Sequence, residues 1–158
     1  MTSSPLSPFR NPSPDRIRAL LGEVRSIAVV GFSPQPSRPS HRVAAALQQV
    51  GYRIIPVRPG IATGLGEPAY RELADIPDVA RTVDLVDVFR ASDQVMPVVD
   101  ACIALGLKRL WFQDGVVNED AAARATAAGI EVVMDDCTWR AWSTLGVGPR
   151  SGGSGATW

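Results

Sequence analysis

Apolar runs of strand length alternate along this chain with stretches whose apolar positions recur every three or four residues. SIAVVGF (26–32), YRIIPV (52–57), VDLVDVF (83–89), RLWFQ (109–113) and IEVVMD (130–135) read as five buried strands. Helical signals lie before and between them. Ser13 is placed to cap a helix with Pro14 at its first position, and Ile17, Leu20, Leu21 and Val24 fall on one face. Ser40 is placed to cap HRVAAALQQV, which Gly51 closes. A Gly-rich loop, GIATGLGEPAY, and a short turn around RELADIP lead into the third strand. Ser92 opens a further helix with Pro97 near its front and Gly106 at its end, and Asn118 caps another whose first turn holds Glu119 and Asp120. The pattern predicts an α/β fold, a Rossmann-like three-layer domain with a five-stranded parallel sheet of order 3-2-1-4-5. Ligands of such sheets sit beyond the carboxyl ends of the strands, where strand order reverses, here between the first and fourth. The tips that matter are 31–40, 57–60, 89–92, 113–118 and 135–138.

The chain's 158 residues, 46% hydrophobic and 20% charged, suit one compact domain. Residues 1–12 read as a Ser/Pro-rich arm, 13–145 as the domain, and 146–158 as a Gly/Ser-rich tail whose only large apolar group is Trp158. Sixteen basic and sixteen acidic residues cancel, so no global field draws the protein to nucleic acid or an anionic membrane, and an anion site must be local. No apolar run approaches the roughly 20 residues that span a bilayer. No secretory signal opens the chain, and two cysteines fit a reducing compartment, so the expected location is cytoplasmic.

The stretch VVGFSPQPSRPSHRVAAAL (29–47) carries the chemistry. It starts as a dinucleotide-binding turn, but Ser33 and Pro36 stand where G-x-G-x-x-G has its later glycines, and only Gly31 remains. Unpaired N–H groups at a helix N-terminus suit a phosphate; with Pro34, Pro36 and Pro39 stiffening the turn, side chains must share the work. Ser33, Ser37 and Ser40 offer hydroxyls, and Arg38 a forked guanidinium. The plainer reading is a Pro/Ser-rich surface loop with a helix cap. At the end of the second strand, IIPVRPG puts Arg58 where an NAD site usually presents a carboxylate. A cation there favours a phosphorylated ribose, which leaves NADP or coenzyme A.

The runs GFSPQPSRPS (31–40), PVRP (56–59), DVFR (87–90), QDGVVNE (113–119) and VMDDC (133–137) together resemble the small stand-alone CoA-binding proteins, which are similar to the CoA-binding domain of the succinyl-CoA synthetase alpha subunit. The resemblance spans about residues 17–140. It implies that the loop with Gly31, Ser33, Pro36, Ser37, Arg38, Ser40 and His41 receives the CoA phosphates. Val57, Arg58 and Pro59 would line the ribose-phosphate end, Phe89 and Arg90 flank the adenine, and Gln113, Gly115 and Asn118 border the pantetheine. The chain departs from the family pattern at Arg58, at Asp114, and at Asp136, Cys137, Thr138 and Trp139, where a basic residue and Cys-Pro-Lys are common.

No catalytic group is assigned. His41, the single histidine, sits in the first turn after the loop and reads as a ligand donor or surface group, and no nucleophile comes with a base at a recognisable spacing. Cys102 belongs to an apolar helix face with Val95, Val98 and Val99; Cys137 follows the fifth strand, where packing and a meeting with a ligand thiol are both open. Two cysteines and one histidine make no metal site. Asp84, Asp87, Asp114, Asp135 and Asp136 read as charges solvated at the sheet ends. Trp111 packs the sheet; Trp139 and Trp142 lie three apart on a terminal helix, over a sheet edge or a partner. The expected function is to bind CoA or an acyl-CoA without intrinsic catalysis, as carrier, sensor or regulator. The alternatives are an NADP-dependent reductase or CoA-linked transferase subunit, and an interaction module whose contacts, as a homo-oligomer or with a protein partner, respond to the ligand.

Overall fold

The computed structural model describes residues 9–149. Ser13 Oγ accepts from Arg16 N at 3.2 Å and starts α1 (Pro14–Glu23), which buries Ile17, Leu20 and Leu21. Then come β1 (Ser26–Val30), α2 (Pro39–Gln49), β2 (Arg53–Val57), a ribbon of β3 (Thr63–Gly64) with β4 (Glu67–Pro68), and α3 (Val79–Thr82). The chain continues through β5 (Leu85–Val88), α4 (Met96–Leu105), β6 (Arg109–Phe112), α5 (Glu119–Ala127), β7 (Glu131–Val133) and α6 (Thr138–Thr144).

All five long strands pair in parallel, with helices on both faces. Alternation along each strand divides the core. Ile27, Val29, Ile54, Leu85 and Trp111 join α1, α2 and α6 on one side, while Ala28, Val30, Ile55, Val57, Val86 and Val88 join α3, α4 and α5 on the other.

The sheet order is β2-β1-β5-β6-β7, which is 2-1-3-4-5 in strand sequence and corrects the expected 3-2-1-4-5. The rule of right-handed crossovers fixes the hand of a connection but not the side on which the next strand lands. Burial decides the side. Every residue of β5 is buried, as suits an inner strand, whereas β2 begins with exposed Arg53 and contains Pro56, which has no N–H to give an outer partner and so suits an edge. Asp84 Oδ2 accepts Arg25 N at 2.8 Å, and Ser26 Oγ donates to Thr82 O, locking β5 onto β1. The reversal therefore lies between β1 and β5, not between the first and fourth strands.

Two helix starts also differ from expectation. Arg38 is the cap of α2 and Pro39 its first residue, which puts Ser40 inside the first turn; proline's fixed φ makes it the better starter. Ser92–Gln94 forms a short 3-10 turn, and α4 begins only at Met96, with Pro97 just inside it. Asn118 caps α5 as expected, accepting from Ala121 N at 3.0 Å.

Residues assigned by sequence to the arm and tail are partly docked. Asn11 exchanges two hydrogen bonds with the backbone of Met134, at 2.9 and 2.8 Å, and Trp142 Nε1 donates to Gly148 O at 3.1 Å. Phe9 N also donates to Glu119 Oε1 at 3.0 Å, and residues 1–8 and 150–158, Trp158 included, lie outside the described residues.

Candidate functional site

Gly31 ends β1 at φ 85°, and its N–H still reaches Val57 O at 3.1 Å. Beyond it the chain folds on itself. Ser33 N donates to Ser40 Oγ (2.9 Å), Gln35 N to Ser33 Oγ (3.2 Å), and His41 Nδ1 lies 3.0 Å from Ser33 O, with its ring 5.3 Å from that of Phe32. Ser33 and Ser40 are buried, so both hydroxyls brace the loop. Pro36, Ser37 and Arg38 are exposed at its crest, and the Arg38 side chain makes no hydrogen bond or ion pair among the described residues. Arg42 Nη1 donates to Ser37 O at 2.8 Å, and Arg58, exposed at the tip of β2 beside Pro59, reaches Phe32 O at 3.4 Å. No Asp or Glu occurs between Glu23 and Glu67, so nothing in this stretch offsets Arg38, Arg42 and Arg58. The N-terminal end of the α2 dipole and these guanidinium groups thus concentrate positive charge at this loop within a neutral chain.

Beside it, a cavity of about 580 Å³ opens at the ends of β1 and β2. Val30, Val57 and Val98 give it an apolar floor; Arg71, Glu72 and Arg90 supply polar wall. Arg90 Nε is fully buried and has no hydrogen-bond partner among the described residues. Such a donor costs about 1–3 kcal/mol until an acceptor reaches it. Phe89 and Arg90, adjacent at the end of β5, diverge: Phe89 packs with the α1, α2 and α6 cluster, and Arg90 faces the cavity.

The third part is the loop after β6. Gly115 N donates to Asp135 Oδ1 at 2.8 Å, Ser92 Oγ donates to Gly115 O and accepts Val117 N, and Asn118 Nδ2 donates to Ser92 O at 2.9 Å. Beneath lies a closed polar triangle. Gln113 Nε2 donates to Asp87 Oδ1 (2.7 Å) and Thr138 Oγ1 (2.8 Å), and Thr138 Oγ1 donates to Asp87 Oδ2 (3.0 Å). Asp87 is wholly buried, which pushes its carboxyl up to about 7 against the opposing pull of the two hydrogen bonds. At the rim Arg140 pairs with both Asp114 oxygens (2.8 and 2.7 Å) and with Asp136 (2.9 Å), which holds Asp114 below the usual carboxylate range. Half-buried Cys137 has its thiol pushed up, chiefly by burial.

Residues 25–142 match the model of a CoA binding domain family. The chain belongs to that family. An uncharacterized protein of Bacillus subtilis, YneT, is 40% identical over 129 residues, covering 82% of this chain and 93% of its own. A hypothetical protein from Pyrococcus horikoshii superposes with a TM-score of 0.81 at 32% identity, covering 90% of this chain and 99% of that one. A dinucleotide-forming acetyl-coenzyme A synthetase of Candidatus Korarchaeum cryptofilum contains a similar region: TM-score 0.59, 27% identity, 68% of this chain and 25% of that enzyme.

Within the CoA binding domain, the structure gathers Gly31, Ser33, Pro36, Ser37, Arg38, Ser40 and His41 in one loop, with Val57, Arg58 and Pro59 beside it, and Gln113, Gly115 and Asn118 in another. Val57 is buried and serves as cavity floor. Two features escaped sequence reasoning. Arg71 and Glu72 form cavity wall from a segment read only as a turn, and no local signal places them there. Asp87, read as solvated, is buried; a carboxylate in the unbroken apolar strand LVDV has no route to water, and that was the available signal.

Proposed function

We propose that this protein binds coenzyme A or an acyl-CoA and does not transform it, acting as carrier, sensor or regulator. The observation that carries the reading is the buried, unpartnered Arg90 Nε in the wall of a cavity that adjoins an acid-free cationic loop at the reversal point of the sheet. In this reading the N-terminus of α2 with Arg38 holds the pyrophosphate, and Arg58 the 3′-phosphate on the ribose. The adenine enters the cavity beside Arg90, with Phe89 bracing the strand tip from the other face. The pantetheine then crosses toward Gln113, Gly115 and Asn118. Membership of the CoA binding domain family and the likeness to part of an acetyl-coenzyme A synthetase support it. Binding without turnover is supported by the state of the nearby groups. Burial keeps the Cys137 thiol protonated, and both Asp87 oxygens are engaged inside the protein.

An NADP-binding reductase subunit is the second reading, because Arg58 would serve a 2′-phosphate as well as a 3′-phosphate. Native mass spectrometry of freshly purified protein separates the two. A retained mass of CoA or an acyl-CoA supports the first reading, and a retained NADP mass replaces it with the second.

A further inference from the structure

Asp87 is the one fully buried carboxylate among the described residues, and its contacts decide which way a neighbouring amide faces. An ionised Asp87 only accepts hydrogen bonds, so the Gln113 atom 2.7 Å from Oδ1 must be the nitrogen. That nitrogen spends its two hydrogens on Asp87 and Thr138, and the Thr138 hydrogen goes to Asp87. Gln113 Oε1 is left over. No donor among the described residues reaches it, and the only fully buried side-chain N or O atom without a partner among them is Arg90 Nε, so Oε1 keeps a small exposed surface at the carboxyl end of the sheet. Protonation of Asp87 removes the constraint, because the new O–H can donate to Gln113 Oε1 and the amide can turn over and present its NH₂ instead.

We propose that Asp87 is a positioning residue which, through Gln113 and Thr138, holds the Gln113 carbonyl toward the ligand, so that this tip receives an amide N–H of the pantetheine arm. The inference rests on the reading of this site as a CoA site. Asp87 touches no ligand itself. Its register neighbours Val29 on β1 and Trp111 on β6 are uncharged, as are Gln113 and Thr138. The titratable groups near this end are Cys137, preceding Thr138, and at the rim Asp114 and Asp136, both held by Arg140. Burial of Asp87, with its carboxyl near neutrality, puts both orientations of the amide within reach of ordinary buffers.

The test compares wild type with Asp87→Asn, a neutral isostere of the protonated acid, by calorimetric titration with CoA and with adenosine 3′,5′-bisphosphate, which lacks the pantetheine. Taking the ratio of variant to wild-type affinity at each pH cancels titration of the ligand phosphates. At pH 8 the variant is expected to bind CoA roughly tenfold more weakly than wild type, by loss of one well-placed acceptor, and at pH 5.5 equally well, while the bisphosphate binds both proteins alike throughout. Equal CoA affinity at pH 8 overturns the inference and leaves the CoA reading standing. Failure of wild type to bind either ligand overturns both. Should the variant not fold, the ¹⁵N side-chain resonance of Gln113 in wild type gives the answer. A shift with a midpoint near pH 7 supports the switch, and a resonance constant from pH 5.5 to 8 contradicts it.

Discussion

Gly31 meets Phe89 backbone to backbone: a Cβ on Gly31 would overlap the Phe89 carbonyl oxygen and stand 3.0 Å from its carbon. Phe89 N in turn donates to Val30 O at 2.9 Å, so the two strand tips are closed against each other where the sheet order reverses. The candidate site is built on that closure. Gly31→Ala adds a clash with rigid backbone to the cost of a left-handed φ and is expected to destabilise the protein by about 2–4 kcal/mol in denaturant titrations. Gly60→Ala, at φ +87° with nothing within 4 Å, carries the φ cost alone, about 1 kcal/mol. Equal losses for the two variants would show that the approach to Phe89 does not matter.

Arg38 and Arg58 are expected to separate by ligand. Arg38→Ala removes a charge-assisted contact to the pyrophosphate and should weaken CoA by about 1.5–3 kcal/mol, roughly ten- to a hundredfold, with 3′-dephospho-CoA weakened as much. Arg58→Ala should weaken CoA more than 3′-dephospho-CoA. Calorimetry with both ligands reads the difference, and equal losses for Arg58→Ala would remove the 3′-phosphate from its tip.

Burial of Asp87 makes stability depend on pH. Its carboxyl titrates near 7 when folded and near 4 when unfolded, so between those values folding takes up a proton. Its contribution is therefore fullest in acid and is lost as pH rises through about 7. Asp87→Asn has no such loss. Relative to wild type the variant should gain stability from pH 4 to pH 8, on the order of 3–4 kcal/mol in chemical denaturation, and a pH-independent difference would contradict the buried titration.

The two thiols should differ in reactivity. Burial leaves Cys102 fully inaccessible with its thiol pushed up to about 12, while Cys137 is half-buried between β7 and α6 at the carboxyl end of the sheet. One thiol per native chain is expected to react with a disulfide reagent at pH 8, slowly for want of thiolate, and more slowly still with CoA bound. Peptide mapping that found Cys102 labelled in the native protein would contradict the packing of α4.

Periodicity made five strands and the main helices legible, because a buried parallel strand and an amphipathic helix leave different apolar spacing. Strand order was not legible from periodicity, yet Pro56 in β2 and the unbroken burial implied by LVDV in β5 already distinguish edge from interior. Arg38 and Arg58 at their strand tips follow from position along the chain. The cavity does not, since Val57, Arg71 and Arg90 meet only once the connection from β2 to β5 has crossed to the far side of β1. The division of labour between Phe89 and Arg90 is likewise a matter of which face each side chain takes at the end of a strand.

In the proposed reading the cationic loop and the adjoining cavity form one pocket for coenzyme A. Isothermal titration of the purified, ligand-stripped protein with CoA decides whether that pocket exists. Saturable binding of one CoA per chain, abolished or severely weakened in an Arg38→Ala, Arg90→Ala double variant that still folds, is the predicted result. No heat of binding and an unchanged melting temperature up to the solubility limit of CoA would contradict it.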